Sequence, residues 1–98
     1  VNGTTILAAL ETAVFWKQLN MVRILLAHGA NVNISDGEAL VCACTEHDDT
    51  EIVQLLLDHG ADVHVQHDRP LFEAVQRGSA KIVSLLLRYG ADVRAEDY

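Results

Sequence analysis

Leu25-Leu26-Ala27-His28-Gly29-Ala30-Asn31-Val32 returns as Leu56-Leu57-Asp58-His59-Gly60-Ala61-Asp62-Val63 and again as Leu86-Leu87-Arg88-Tyr89-Gly90-Ala91-Asp92-Val93. Its glycines stand 31 residues apart (Gly29 to Gly60) and then 30 (Gly60 to Gly90). A near-constant period of this length marks a stacked-repeat protein. One unit of that size cannot bury its own apolar face, so neighbouring units must share a core. With 98 residues, half of them apolar, the chain has the material for one such array.

Upstream of each phrase lies a second one: Leu10-x-x-Ala13, Leu40-x-x-Ala43 and Leu71-x-x-Ala74. Leucine and alanine three apart share a helix face, and the small alanine lets a neighbouring helix approach closely. Each unit is therefore expected to open with a short helix. A second helix is expected over Asn20 to Ala27, Glu51 to Asp58 and Lys81 to Arg88. Its apolar members, such as Ile52, Val53, Leu55, Leu56 and Leu57, wrap too much of the circumference for a surface helix and predict packing on several sides. Gly29, Gly60 and Gly90 then end it in the left-handed conformation. The polar, turn-rich stretches 31–38 and 62–69 read as extended, turn-forming connections to the next unit.

A helix–turn–helix–finger unit carrying Leu-x-x-Ala and Leu-Leu-x-x-Gly-Ala-Asp-Val resembles the ankyrin repeat, and the resemblance covers nearly the whole chain in three copies. It implies an all-α solenoid of stacked helix–turn–helix units with short hairpin-like fingers. Repeat one then covers about 1–33, repeat two about 34–64 and repeat three about 65–94, with 95–98 starting a further finger. The period falls short of the family's usual length of about 33. The deficit lies in the fingers, because each valine precedes the next leucine by only eight residues (Val32 to Leu40, Val63 to Leu71). The family's Thr-Pro-Leu-His opening is represented by Ala9-Leu10-Glu11, Ala39-Leu40-Val41 and Arg69-Pro70-Leu71-Phe72, so only Pro70 keeps its proline and the usual threonine–histidine bracing is not expected. Repeat two carries one extra residue within Glu46-His47-Asp48-Asp49-Thr50. In the ungapped register residues 1–9 are a finger or a helix extension. Neither end reads as a polar cap, so the chain is expected to be part of something longer.

The longest apolar run, Ile6 to Leu10, is far too short to cross a bilayer, and no secretory signal is visible. Cys42 and Cys44, two apart on a helix, point in different directions and cannot readily bridge, and free thiols suit the cytosol or nucleus. Net charge is −7, and between Arg23 and Arg69 there is no lysine or arginine. That stretch holds Asp36, Glu38, Glu46, Asp48, Asp49, Glu51, Asp58, Asp62 and Asp68. Such a middle third repels phosphate and argues against nucleic acid, while it would steer a basic partner.

No nucleophile–base–acid arrangement, phosphate loop or zinc-ligand spacing is present, so neither an enzyme nor a cofactor is expected. Asp62, His64, His67 and Asp68 form the best metal candidate, set against their reading as ordinary solvated residues. His28 and His59 sit where a helix C-terminus favours positive charge, and Glu11 and Glu73 where an N-terminus favours negative charge. Phe15-Trp16 stands out, because the corresponding positions hold Thr45-Glu46 and Gln76-Arg77. An aromatic pair at a position that is otherwise polar is a candidate partner anchor, the alternative being burial under residues 1–9 or under a further repeat upstream.

The resemblance implies a groove formed by the fingers and the exposed side of the first helices. Carried over by position, it would display Thr12, Phe15, Trp16, Cys42, Thr45, Glu46, Glu73, Gln76 and Arg77, with Ile34, Asp36, Glu38, Gln66, Asp68 and Arg69 from the fingers. Asn33 resembles the finger asparagine that a hydroxylase modifies in many ankyrin repeats. The expected function is a non-catalytic module binding a protein or peptide, the alternative an architectural spacer in a longer array. A metal-dependent enzyme is the third reading.

Overall fold

The computed structural model describes residues 3–46 and 50–91, with side chains for 9–45 and 50–91. His47, Asp48 and Asp49, the last phrase's Asp92 and Val93, and the expected further finger at 95–98 lie outside the described residues, as does the side chain of Glu46. Six helices follow one another: α1 (Gly3–Phe15), α2 (Leu19–Ala27), α3 (Ile34–Glu46), α4 (Thr50–Asp58), α5 (Val65–Arg77) and α6 (Ala80–Arg88). The first helices α1, α3 and α5 pack side by side, and so do the second helices α2, α4 and α6. Each first helix also packs on its own second helix. The result is an all-α two-layer stack, 40 Å long and about half as wide (21 and 19 Å). Residues 3–9 are a helix extension, and none of the described helices is long and apolar enough to cross a membrane.

The core follows the repeat register. Leu10, Leu40 and Leu71 are fully buried, as are Ala13, Ala43 and Ala74 beside them. Val22 and Val53, Leu26 and Leu57, and Leu56 and Leu86 extend the same cluster through the second helices. The alanines keep the first helices close, and the leucines fill the space between layers. Burying such a leucine contributes about 1.5–3 kcal/mol.

The helix-ending glycines behave as the spacing predicts. Gly29 and Gly60 have φ of 90° and 89°. Ala30 N–H donates to the Leu25 carbonyl and Gly29 N–H to that of Leu26, and the same two bonds recur after α4 and α6. This double closure satisfies carbonyls that the helix end would otherwise leave without partners. His59 adds a third bond, its Nδ1 lying 3.0 Å from the Leu55 carbonyl oxygen. Two of the first helices, α1 and α5, end in the same way. Gly78, at φ 77°, terminates α5, and Lys17 occupies the equivalent place after α1 at φ 58°. A residue with a Cβ resists that conformation by about 1–2 kcal/mol.

The stretches expected to be extended are instead folded, and no strand occurs among the described residues. Asn31 and Asp62 each accept the backbone N–H two residues on. Three left-handed residues follow, Ser35-Asp36-Gly37 in one unit and Gln66-His67-Asp68 in the next. The hairpin-like fingers are thus compact left-handed turns, because so short a connection closes on its own side chains before two strands can pair. Gly37 is required by space as well as by φ: a Cβ there would lie 2.5 Å from the Val65 side chain of the next unit. Pro70 sits in the first turn after the second left-handed segment, where a missing N–H costs nothing.

Side chains brace one turn to the next in place of the threonine–histidine pattern. Asn33 Nδ2 donates to the Gly60 carbonyl at 3.0 Å, and the Asp62 N–H donates to Asn33 Oδ1 at 2.7 Å. Gln66 Nε2 reaches back to the Asp36 carbonyl and to Glu38 Oε2. On the opposite edge, the Tyr89 hydroxyl donates to Asp58 at 2.8 Å and accepts from Gln54 Nε2 at 2.7 Å. The Tyr89–Asp58 bond holds the Asp58 carboxyl below its usual range and the Tyr89 phenol above its own.

Two substitutions test this reading with opposite signs. Lys17→Gly relieves the left-handed strain and should stabilise the protein by about 0.5–1 kcal/mol. Asn33→Ala removes both bonds to the next turn and should destabilise it by about 1–2 kcal/mol. Urea unfolding midpoints report both, and an Asn33→Ala midpoint equal to that of the parent would show that water replaces the brace without loss.

Candidate functional site

One turn of α1 decides the candidate surface. Glu11, Thr12, Phe15 and Trp16 stand at the end of α1, where Ala13 and Val14 face inward and are fully buried. Facing them from the next repeat are Glu38, one residue past the left-handed turn, and Cys42, one helical turn further along α3. Together these six side chains line an open cleft of about 270 Å³. Phe15 and Trp16 meet edge to face, with ring centroids 5.1 Å apart and planes at 87°. This contact holds the rings without hiding them, since Phe15 is 43% and Trp16 65% exposed.

Of the residues carried over to the groove, Thr12, Phe15, Trp16, Cys42 and Glu38 line this one cleft. Other carried-over residues turn to structural partners. The Thr45 hydroxyl donates back to the Val41 carbonyl at 2.7 Å. Arg77 Nη1 donates to the Thr45 carbonyl at 2.6 Å and ties repeat three to repeat two. Arg69 Nε donates to Glu73 at 2.8 Å, and Asp68 lies 2.7 Å from His64 Nδ1. Gln76 is exposed but does not line the cleft. Asp36 accepts from Gln66 through its backbone carbonyl.

The electrostatics of the cleft come from two carboxylates on adjacent repeats. Partial burial raises the Glu11 pKa above the ordinary value, and the negative charge of Glu38 raises it further. Among the described residues neither glutamate is ion-paired; Glu38 only accepts from the Gln66 amide. Cys44 is a different case. It is fully buried, and burial, followed by the charge of Glu73 and by Cys42, pushes its thiol up to about 12. A thiol so rarely ionised is a packing group rather than a nucleophile.

The metal candidate does not converge. Residues 62–68 form a turn rather than a strand, the Asp62 carboxylate is occupied by the His64 N–H, and Asp68 by the His64 ring. Among the described residues no three of His, Cys, Asp and Glu could hold an ion together. Asn33 is exposed, but both ends of its amide are engaged, so an enzyme acting on it must first break those bonds. The acidic middle also divides. Of its members with described side chains, only Glu38 lines the cleft, while Asp58 serves the Tyr89 edge.

Glu11 is the cleft residue that the carry-over omitted. The signal for it was present, since Glu11 and Phe15 are four apart and share a helix face. The chain matches the family model for ankyrin repeats, in three copies, over residues 10–97. No curated protein matches it.

Proposed function

The chain belongs to the ankyrin-repeat family, and from that premise we propose that it is a non-catalytic recognition module whose groove takes a protein or peptide, anchored on Phe15 and Trp16. Ankyrin repeats generally serve protein–protein interaction and are typically non-catalytic. The observation that carries the finer reading is the exposure of an aromatic pair where the other repeats hold polar residues. Exposed aromatic groups beside a cleft are the side chains that dominate interface energetics. An open, mixed surface of this kind suits a peptide better than an enclosed small substrate. Acidic residues nearby favour a basic partner and act mainly on the rate of association. The reading includes the cytosol or nucleus as its compartment, in keeping with two cysteines outside any disulfide.

A second reading, that of a spacer segment in a longer array, is supported by a separate observation. Ile52 and Ile82 are 1% and 0% exposed, yet Met21 at the same register in repeat one is 53% exposed. Ile24 beside it is equally open. At the other end Val75 and Leu87 are exposed, whereas their counterparts Val14, Cys44, Leu26 and Leu57 are buried. Both end faces thus present side chains that a further repeat would cover. The two readings are compatible, since an internal segment can still carry a groove.

The test is affinity capture from an extract of the source organism, comparing the parent chain with a folded Phe15→Ala/Trp16→Ala variant. The recognition reading expects a retained protein that the variant loses, each anchor contributing about 2 kcal/mol, or roughly 30-fold in affinity. If both chains retain the same set, or nothing, the groove reading fails and the spacer reading gains.

A further inference from the structure

We propose that the cleft between α1 and α3 recognises an arginine side chain of the partner peptide, its guanidinium lying against Trp16 and its N–H fork turned to Glu38 and Glu11. The inference rests on the groove reading and names the chemistry of its central contact. Three features of the cleft support it.

The first is charge. Two carboxylates from successive repeats line one opening, no lysine or arginine lines it with them, and neither is ion-paired among the described residues. Two like charges in one cleft repel each other, and a cation placed between them removes that repulsion while pairing with both. The second is the aromatic wall. Trp16 is the most exposed large apolar side chain described, and its neighbour Phe15 holds it edge to face. A guanidinium over an indole face within about 6 Å is attracted by the ring quadrupole, with tryptophan the strongest of the aromatic residues in this role.

The third is shape. At about 270 Å³ the cleft is below the range of pockets that enclose a drug-sized ligand and has room for one long side chain. Thr12 and Cys42, which also line it, add uncharged surface on which an aliphatic stem can lie. Arginine meets all of these conditions together. Its planar fork carries five donors and can serve two separated carboxylates while its face rests on an aromatic ring. Lysine shares the charge and the stem, but its compact, strongly hydrated ammonium has no plane to lie on the ring and no fork to reach two carboxylates.

The experiment pans a phage-displayed library of random peptides against the full chain. Selected peptides are then measured by fluorescence anisotropy against the parent, Phe15→Ala/Trp16→Ala, Glu38→Gln and Glu11→Gln, each checked for helicity by circular dichroism. The expected result is a shared arginine whose replacement by citrulline, the uncharged isostere, weakens binding about 10-fold or more. Glu38→Gln should weaken it similarly, and arginine-to-lysine replacement should give an intermediate loss. Peptides that need Phe15 and Trp16 but carry no basic residue, or ignore Glu38→Gln, overturn the arginine assignment and leave the groove reading standing. Equal binding of arginine and lysine peptides overturns the guanidinium assignment. Selection of no peptide, or only of peptides indifferent to Phe15→Ala/Trp16→Ala, overturns the groove reading and this inference together.

Discussion

A unit of about thirty residues has too little interior to bury its own apolar face, and everything else in this protein follows from the way its units share one. The contact that makes sharing possible is the close approach of α1, α3 and α5 through Ala13, Ala43 and Ala74, with Leu10, Leu40 and Leu71 sealed between the layers. The approach is tight enough that Gly37 leaves no room for even a methyl group against Val65 of the next repeat. Side-chain bonds from Asn33, Gln66 and Arg77 then fix the rotation of each unit on its neighbour. Stability in such an array is a sum over interfaces, so the same contacts that hold the fold also set the spacing of its surface.

That spacing produces the cleft. Glu38 and Cys42 belong to one repeat and Glu11, Thr12, Phe15 and Trp16 to another, and only the packing of α1 on α3 brings them together. The short connections contribute too. A left-handed turn ends immediately before Glu38 and returns the chain to the helix with this side chain at the mouth of the opening. The large apolar groups left exposed then fall into distinct places: an aromatic pair at the cleft, Met21 and Ile24 at one end of the stack, and Val75 and Leu87 at the other. The cleft pair is set apart by chemistry, aromatic rings beside carboxylates, whereas the aliphatic ends continue the pattern of the core.

Much of this was legible in the residues because periodic features report what every unit must do. The leucines, alanines and terminal glycines recur at fixed spacing, and the second helices begin within one residue of the expected positions. What the pattern hid were features that occur once or twice. Polar stretches such as 31–38 do not reveal whether their backbone is extended or left-handed, since the choice turns on a few side-chain bonds such as Asn31 to the Asn33 N–H. Lys17 taking a glycine's conformation is invisible until Gly78 is set at the same register. Groove positions carried over one by one included Thr12, Phe15, Trp16, Glu38 and Cys42 but not Glu11, and they also included Arg69, Glu73 and Arg77, whose partners within the fold could be known only from distances.

The central claim is that the repeats stand or fall through a shared core, and Trp16, the single tryptophan, lies in repeat one, far from repeat three in sequence. The most direct test is urea unfolding of Leu71→Ala, followed at once by Trp16 fluorescence and by far-ultraviolet circular dichroism. A buried leucine-to-alanine change typically costs about 2–5 kcal/mol. The account predicts that both signals shift to lower urea together, because the loss in repeat three reaches repeat one through their common interfaces. A Trp16 transition left at its parent midpoint while the circular dichroism signal splits would contradict it.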